Sequence, residues 1–386
     1  MPLDPADERA AREGGAVVEI ACPMVAAPAV PQADLTLLEP LLSRLADPAD
    51  VAGTERFPLG TLQPDGRLDL CKQGLGADGV TRVLDRVVGS PHAVHLLLGT
   101  NGLGAPGAAA LAAALAPGHG VQTLYLGCNA IDAGGAEPLF ERLACDSTVT
   151  ALWLKRNPLG DAGIESLAAM LRSNSSISTL DLVNTGLSEA GLARLVDALA
   201  ARSRPVTRVF LGGNGLGPSA APLLGRLLSE CGVTGLFLAA NRLGDDGVAR
   251  LLSDLSSGGT TLGLGGNGLT DAGPVAARLP LLDGLDLSRP QSLRVLGAVD
   301  NTIGDPGAAV LAEALPGSPL RRLDLRHTGV RGRGAKLLLA AVQSGRTALR
   351  RLTLGPGVPR RVKRAIAELL PEHEPPLASE IVSVYR

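Results

Sequence analysis

The 386-residue chain carries a formal net charge of -2, 45% apolar residues, 49 glycines, 28 prolines and five cysteines. Glycine and proline together stay below the roughly 25–30% that marks a low-complexity chain, and cysteines without any CxxC pair exclude a zinc framework or a disulfide scaffold and fit a reducing cytoplasm. No stretch is long and apolar enough to span a bilayer, so no membrane partner is expected.

Residues 1–65 contain no internal repeat. Asp4, Asp7, Glu8 and Glu13 stand where a secretory leader would carry basic residues, so the apolar run from Gly15 to Val30 does not read as a signal peptide. Within it Val17–Ala21 suits a strand, and Leu35–Leu45 has helical spacing. The segment is expected to act as an N-terminal cap, because an open parallel sheet exposes an edge that invites aggregation.

From Arg67 onward one unit recurs, best seen in Val149–Leu171. Leucines stand five and three residues before Asn157 and two after it, followed by Gly160, which is a period-two strand and then a turn. Asp161 sits where a helix N-cap belongs, and Leu167 and Leu171 share one helical face. The anchor position recurs at Gln73, Asn101, Asn129, Asn157, Thr185, Asn214, Asn241, Asn267, Asn301, Thr328 and Gly357, mostly 28 residues apart. Such a period signals a solenoid, since one unit cannot bury its apolar stripe alone. Glycines recur in register as well, for example Gly107, Gly135, Gly163 and Gly191, which makes them architectural.

At these residues, LxLxxNxLG followed by a helical half, the chain resembles the leucine-rich repeat family, specifically its ribonuclease-inhibitor-like long-repeat class. That resemblance implies an α/β solenoid of about eleven repeats, shaped as a horseshoe. A parallel sheet would line the concave side, helices the convex side, and the anchor asparagines would bond to loop backbone. Physical chemistry agrees, because buried loop amides need partners and an asparagine offers both donor and acceptor. The expected organisation is a cap at 1–65, a repeat domain at 66–370 and a tail at 371–386. An irregular insertion near 279–295 leaves two candidate strands, Leu285–Leu287 and Val295–Ala298. The replacements at Gln73, Thr185, Thr328 and Gly357 require their turns to be satisfied in another way.

Strand alternation sends the residues four and two before each anchor away from the leucine core and onto the concave face. The first of these columns holds Tyr125, Trp153, Phe210 and Phe237, four of the chain's seven aromatics, together with Asp181. Exposed apolar clusters mark binding sites, so these five residues with Lys155 and Arg156 form the expected partner-binding patch, its rings at least partly exposed. The alternative, rings packed flat to shield the sheet, is the bland reading of the same pattern.

Asp69, Cys71 and His95 lie on the first two repeat strands and are the candidates for nucleophilic or metal chemistry. A third feature is charge asymmetry: Arg321–Arg364 holds thirteen basic residues against one acid, whereas residues 1–60 hold ten acids against four arginines. Arg322, Arg326, His327 and Arg351 form a secondary basic patch suited to a polyanion. Nucleic acid is disfavoured, because no aromatic platform accompanies that patch. Gly263–Gly268 matches GxGxxG only because a repeat strand and its anchor fall there, and no Walker, HExxH or GxSxG pattern is present. The leading expectation is a non-enzymatic scaffold binding a protein or peptide on the aromatic concave face, with no cofactor and no metal. The alternatives are an enzyme or small-molecule binder using Asp69, Cys71 and His95, and polyanion binding by the basic repeats.

Overall fold

The computed structural model describes residues 31–289 and 298–370. Each repeat begins with a short strand whose leucines point to one side and enter the core. The strands are β3 (Arg67–Asp69), β4 (His95–Leu97), β5 (Thr123–Tyr125), β6 (Ala151–Trp153), β7 (Thr179–Asp181), β8 (Arg208–Phe210), β9 (Gly235–Phe237), β10 (Thr260–Gly263), β11 (Leu282–Asp286), β12 (Arg322–Leu325) and β13 (Arg351–Leu354). These eleven run parallel in sequence order. At the N-terminal end β1 (Glu55–Arg56) and β2 (Thr61–Leu62) add to β3 as antiparallel strands, covering its edge. The chain before them forms a single 3-10 turn, Leu35–Leu38, and the helix Glu39–Ala46, whose Leu41, Leu42 and Leu45 are buried. The expected strand at Val17–Ala21 lies outside the described residues, as does the tail.

After each strand the chain turns and returns through an outer helix, such as Ala133–Ala144, Gly160–Ser173 and Glu189–Ala200, and successive helices pack side by side. Leu152, Leu154, Leu159, Leu167 and Leu171 are all buried, as the spacing required. Gly163 is forced by that packing: a Cβ there would lie 2.9 Å from Leu159 Cβ and 3.3 Å from the Ala133 backbone. Among the described residues no helix is long and apolar enough to cross a membrane.

The turns are tied by a ladder of asparagines. Asn157 Nδ2 donates to the carbonyls of Leu154 in its own unit and Leu126 in the preceding one, and its Oδ1 accepts from the backbone amides of Asn129 and Ile131. Asn101, Asn129, Asn214, Asn241, Asn267 and Asn301 bridge units in the same way. Thr185 and Thr328 reach only a carbonyl of their own unit, Leu182 and Leu325 respectively.

Two details differ from the sequence reading. Asp161 is no N-cap: the helix already starts at Gly160, and the carboxylate accepts from the Ser188 amide of the next unit at 2.9 Å. Asp245 and Asp305 do the same toward Thr270 and Arg331, so this acidic position staples units together. In the irregular unit the first candidate is found as β11, the second, Val295–Ala298, falls almost wholly outside the described residues, and the anchor is still Asn301, which donates to Leu287 across 14 residues where the other asparagines span three. The insertion therefore falls between strand and anchor, and Asp286 stands beside Gly263 and Asp324 in the concave column.

Candidate functional site

The concave column runs in register from Leu97 through Tyr125, Trp153, Asp181, Phe210 and Phe237. Leu97, Tyr125, Trp153 and Phe210 form a cluster separate from the leucine core, so the alternation of faces holds. Their exposure does not match the expectation: Tyr125, Trp153 and Phe210 are only 3%, 2% and 4% exposed, and Phe237 is half-buried. The rings lean along the row and pack on one another. Trp153 and Phe210 approach to 5.1 Å between centroids although β7 lies between their strands, and Phe210 stacks on Phe237 at 4.3 Å. Tyr125 is tilted against Trp153 at 6.3 Å. Arg208 lies over both phenylalanines, 5.5 and 5.9 Å from their centroids, in cation–π geometry.

Beneath the Trp153–Phe210 contact lies Asp181, fully buried. One carboxylate oxygen accepts from the Val183 amide at 2.8 Å, and the other has no hydrogen-bond partner. Burial pushes this carboxyl up to about 6, against the opposing pull of Lys155 and the Val183 bond. Burial likewise lowers the Lys155 ammonium, with Asp181 opposing. The native state thus holds a proton that the unfolded chain, titrating near 3.9, gives up. The stability this adds is fully present below about pH 4 and is lost as pH rises through 6. Asp181→Asn should therefore match the wild type near pH 4 and exceed it by about 1–2 kcal/mol at pH 7.5, less than the full linkage value because Lys155 loses its counter-charge. Urea denaturation across this range decides it, and a variant weaker than wild type at pH 7.5 would refute the assignment.

The concave face is open one step further back along the strands. Asp65, Arg67, His95, Leu97, Thr123, Ala151, Trp153 and Thr179 line a groove of about 410 Å³. Leu97 and Trp153 supply its apolar part. His95 Nδ1 meets Thr123 Oγ1 at 2.9 Å, and Arg67 pairs with Asp65 at 3.0 Å. The His95 imidazole is held below its ordinary value, chiefly by burial. The indole Nε1 of Trp153 is buried without an acceptor. Apart from His95, the sequence reading missed the row of Arg67, Thr123, Ala151, Thr179 and Arg208. The signal was available, because continuing the alternation two residues beyond the aromatic column reaches it.

Asp69, Cys71 and His95 do not converge. In register His95 faces Arg67 and Asp69 faces Leu97, while Cys71 lies beside Gly99, where a Cβ would come within 3.3 Å of its sulfur. His95 is thus four strand positions away from Cys71, roughly 13 Å along the sheet. Burial, then the Asp69 charge, pushes the Cys71 thiol up, the reverse of what a nucleophile needs. Among the described residues no group of three or more His, Cys, Asp or Glu side chains is placed to hold a metal.

The basic patch is partly neutralised. Arg322 pairs with Asp283 at 2.7 Å and Arg326 with Asp324 at 2.8 Å. Asp283 comes from β11, well before the arginine-rich stretch, so counting charges within that stretch did not include it. Arg351 stands beside Arg322 in register, and His327 is exposed at a turn position with φ 61°. Asp286, beside Asp324, is pushed up to about 6 by burial and then by that neighbour.

A sequence profile of the leucine-rich repeat matches residues 145–168. Among solved structures, the yeast Rad7 and Elc1 complex aligns with a TM-score of 0.54 at 14% identity, over 87% of this chain and 81% of that one. A chain described as leiomodin-1 actin-binding site 2 aligns over 32% of this chain and 72% of its own, at 17% identity and a TM-score of 0.28. No curated protein sequence matches.

Proposed function

We propose that this chain, a leucine-rich repeat protein, is a non-enzymatic recognition scaffold that holds a protein or peptide partner on its concave face. The observation that carries the reading is the groove over β3 to β7, with an apolar floor and a polar rim of His95, Thr123, Thr179, Arg67 and Asp65. Ligand sites combine these two in this way, apolar surface for affinity and a few polar groups for direction. The structural neighbour was itself solved as a complex of Rad7 and Elc1, which supports a partner-binding role. Repeat length and the outer helices support placement in the ribonuclease-inhibitor-like class. Tyr125, Trp153, Phe210 and Phe237 serve as the packed floor and wall of the face, with Lys155, Arg156 and Asp181 beside them. Chemistry at Cys71 is not part of the reading, because its thiol is raised and His95 lies elsewhere.

The test compares the proteins retained from a native lysate by the full chain, by Ala151→Arg in the groove and by Glu165→Lys on the outer helix, where Glu165 is exposed. A stoichiometric partner kept by Glu165→Lys and lost by Ala151→Arg is the expected result. Retention by both variants would move the site off the groove, and the absence of any stoichiometric partner would reject the scaffold reading.

A further inference from the structure

The last two repeats turn a strongly cationic surface outward, on the helix side of the sheet. Residues 331–370 hold ten arginines and lysines against a single acid, Glu368. Arg333 and Lys336 stand three apart on the helix Gly332–Gln343, and Arg361 and Arg364 stand three apart on the helix Arg360–Leu369, with Arg360 one turn before Arg364. All five are exposed, and the two helices pack side by side.

These five cations do no work inside the array. Arg142 and Arg202 hold loop carbonyls of neighbouring units, and Arg322 and Arg326 are paired with acids on the concave side. None of the five makes an ion pair with a described residue. Four residues after the anchor, where Asp161, Asp245 and Asp305 accept from the next unit's turn, the last unit carries Arg361. A cation stands in place of the stapling carboxylate.

We propose that Arg333, Lys336, Arg360, Arg361 and Arg364 dock the phosphate backbone of a duplex nucleic acid. Charge density matches: packed helices lie about 9 Å apart, and a duplex carries one charge per about 1.7 Å of its axis, so the two rows face roughly five phosphate charges. Four of the five cations are arginines, whose planar fork bonds two phosphate oxygens at once.

Residues 298–370 contain no phenylalanine, tyrosine or tryptophan. Stacking on splayed single-stranded bases needs such rings, whereas the backbone of a duplex does not. An anionic bilayer is disfavoured by the same absence and by the use already made of the last helix's apolar side. A helix lying in a membrane surface inserts that side, but Val362 and Ile366 are buried in the array. Leu337 and Leu369 are exposed singly, as scattered surface leucines commonly are.

This surface goes beyond the partner reading, because the groove over β3 to β7 opens on the other side of the sheet. Fluorescence anisotropy with the full chain tests it, using short labelled duplexes of mixed sequence, one of DNA and one of RNA. At least one duplex should bind, more tightly than its single strand, and the two arms tell which backbone is preferred. The slope of log affinity against log salt should be about -4 to -5 between about 50 and 200 mM. Arg361→Glu/Arg364→Glu should weaken binding about tenfold or more and flatten the slope by about 2. Arg172→Glu/Arg250→Glu, an equal charge change at exposed sites on earlier helices, should stay within about twofold. Arg333→Gln/Lys336→Gln, which removes charge without reversing it, decides the matter should the first variant not fold. No duplex binding by the wild type at about 50 mM salt would overturn the proposal. So would equal losses in the control, retention by both patch variants, a single strand held more tightly than either duplex, or capture by phosphatidylserine vesicles without capture by duplex.

Discussion

Asn157→Ala should cost roughly 3–6 kcal/mol, the largest loss expected from a single substitution in the array. The side chain is fully buried and satisfies four backbone groups: two carbonyls through Nδ2, at 2.9 and 3.0 Å, and two amides through Oδ1, both at 3.1 Å. Alanine removes the whole carboxamide and leaves those groups inside without their partner. An unsatisfied buried polar group costs about 1–3 kcal/mol, and the four are not additive because they share one site. Asn157→Thr should lie between wild type and alanine, since Thr185 shows that a hydroxyl in this position still serves one carbonyl, at 3.0 Å. Equilibrium denaturation reads all three. A loss from Asn157→Ala below about 1 kcal/mol would mean that water takes over the freed groups, and the ladder would not be a main source of stability.

Leu167→Ala should cost about 2–5 kcal/mol through the cavity it leaves between helix and sheet. Leu167 is fully buried in the helix Gly160–Ser173, and Ile164 and Leu171 flank it on the same face. Neighbouring helices are held at a distance set by the glycine at Gly163, so the rigid repeat has little freedom to collapse around the missing methyls. Glu165→Ala, two residues away on the exposed face, should stay within about 0.5 kcal/mol. Equal losses at both positions would place the helix in the wrong rotation.

Most of the repeat architecture was legible because it rests on periodic constraints. Leu152 and Leu154 must share a face, Leu167 and Leu171 must share another, and Asn157 must feed the turn between them; each follows from residue spacing alone. Trp153 marks the limit of that logic. Alternation assigns it correctly to the side opposite the leucines, but exposure depends on how large neighbouring side chains lean across strands, and no spacing rule contains that. Asp161 failed for a related reason: the same short acidic side chain can cap its own helix or accept from the next unit's turn, and only the stacking distance chooses. Cys71 and His95 looked close because they lie on adjacent strands. Their separation along the strands, invisible to a strand-by-strand reading, keeps them apart. The insertion after Leu287 hid Asp286 from the column, since counting back from Asn301 lands among the inserted residues.

The two threonine anchors give the solenoid seams. Where every other joint from Asn101 to Asn301 carries an asparagine strut between one turn and the next, the hydroxyl of Thr185 ties only to Leu182 and that of Thr328 only to Leu325. At those two places neighbouring units hold together through main-chain bonds, among them Gly160 to Thr185 at 2.9 Å and Gly304 to Thr328 at 3.0 Å, and through the Asp161 and Asp305 carboxylates, which accept from the Ser188 and Arg331 amides of the next unit. In a quasi-one-dimensional array, stability is a sum of units and the interfaces between them, so weak interfaces decide where it comes apart. At these two joints a carboxylate therefore stands in for the buried asparagine strut, and the first of them runs beneath the Trp153–Phe210 contact. Bending there would change the spacing of the two rings that roof Asp181, giving the rod's mechanics a direct handle on the binding face.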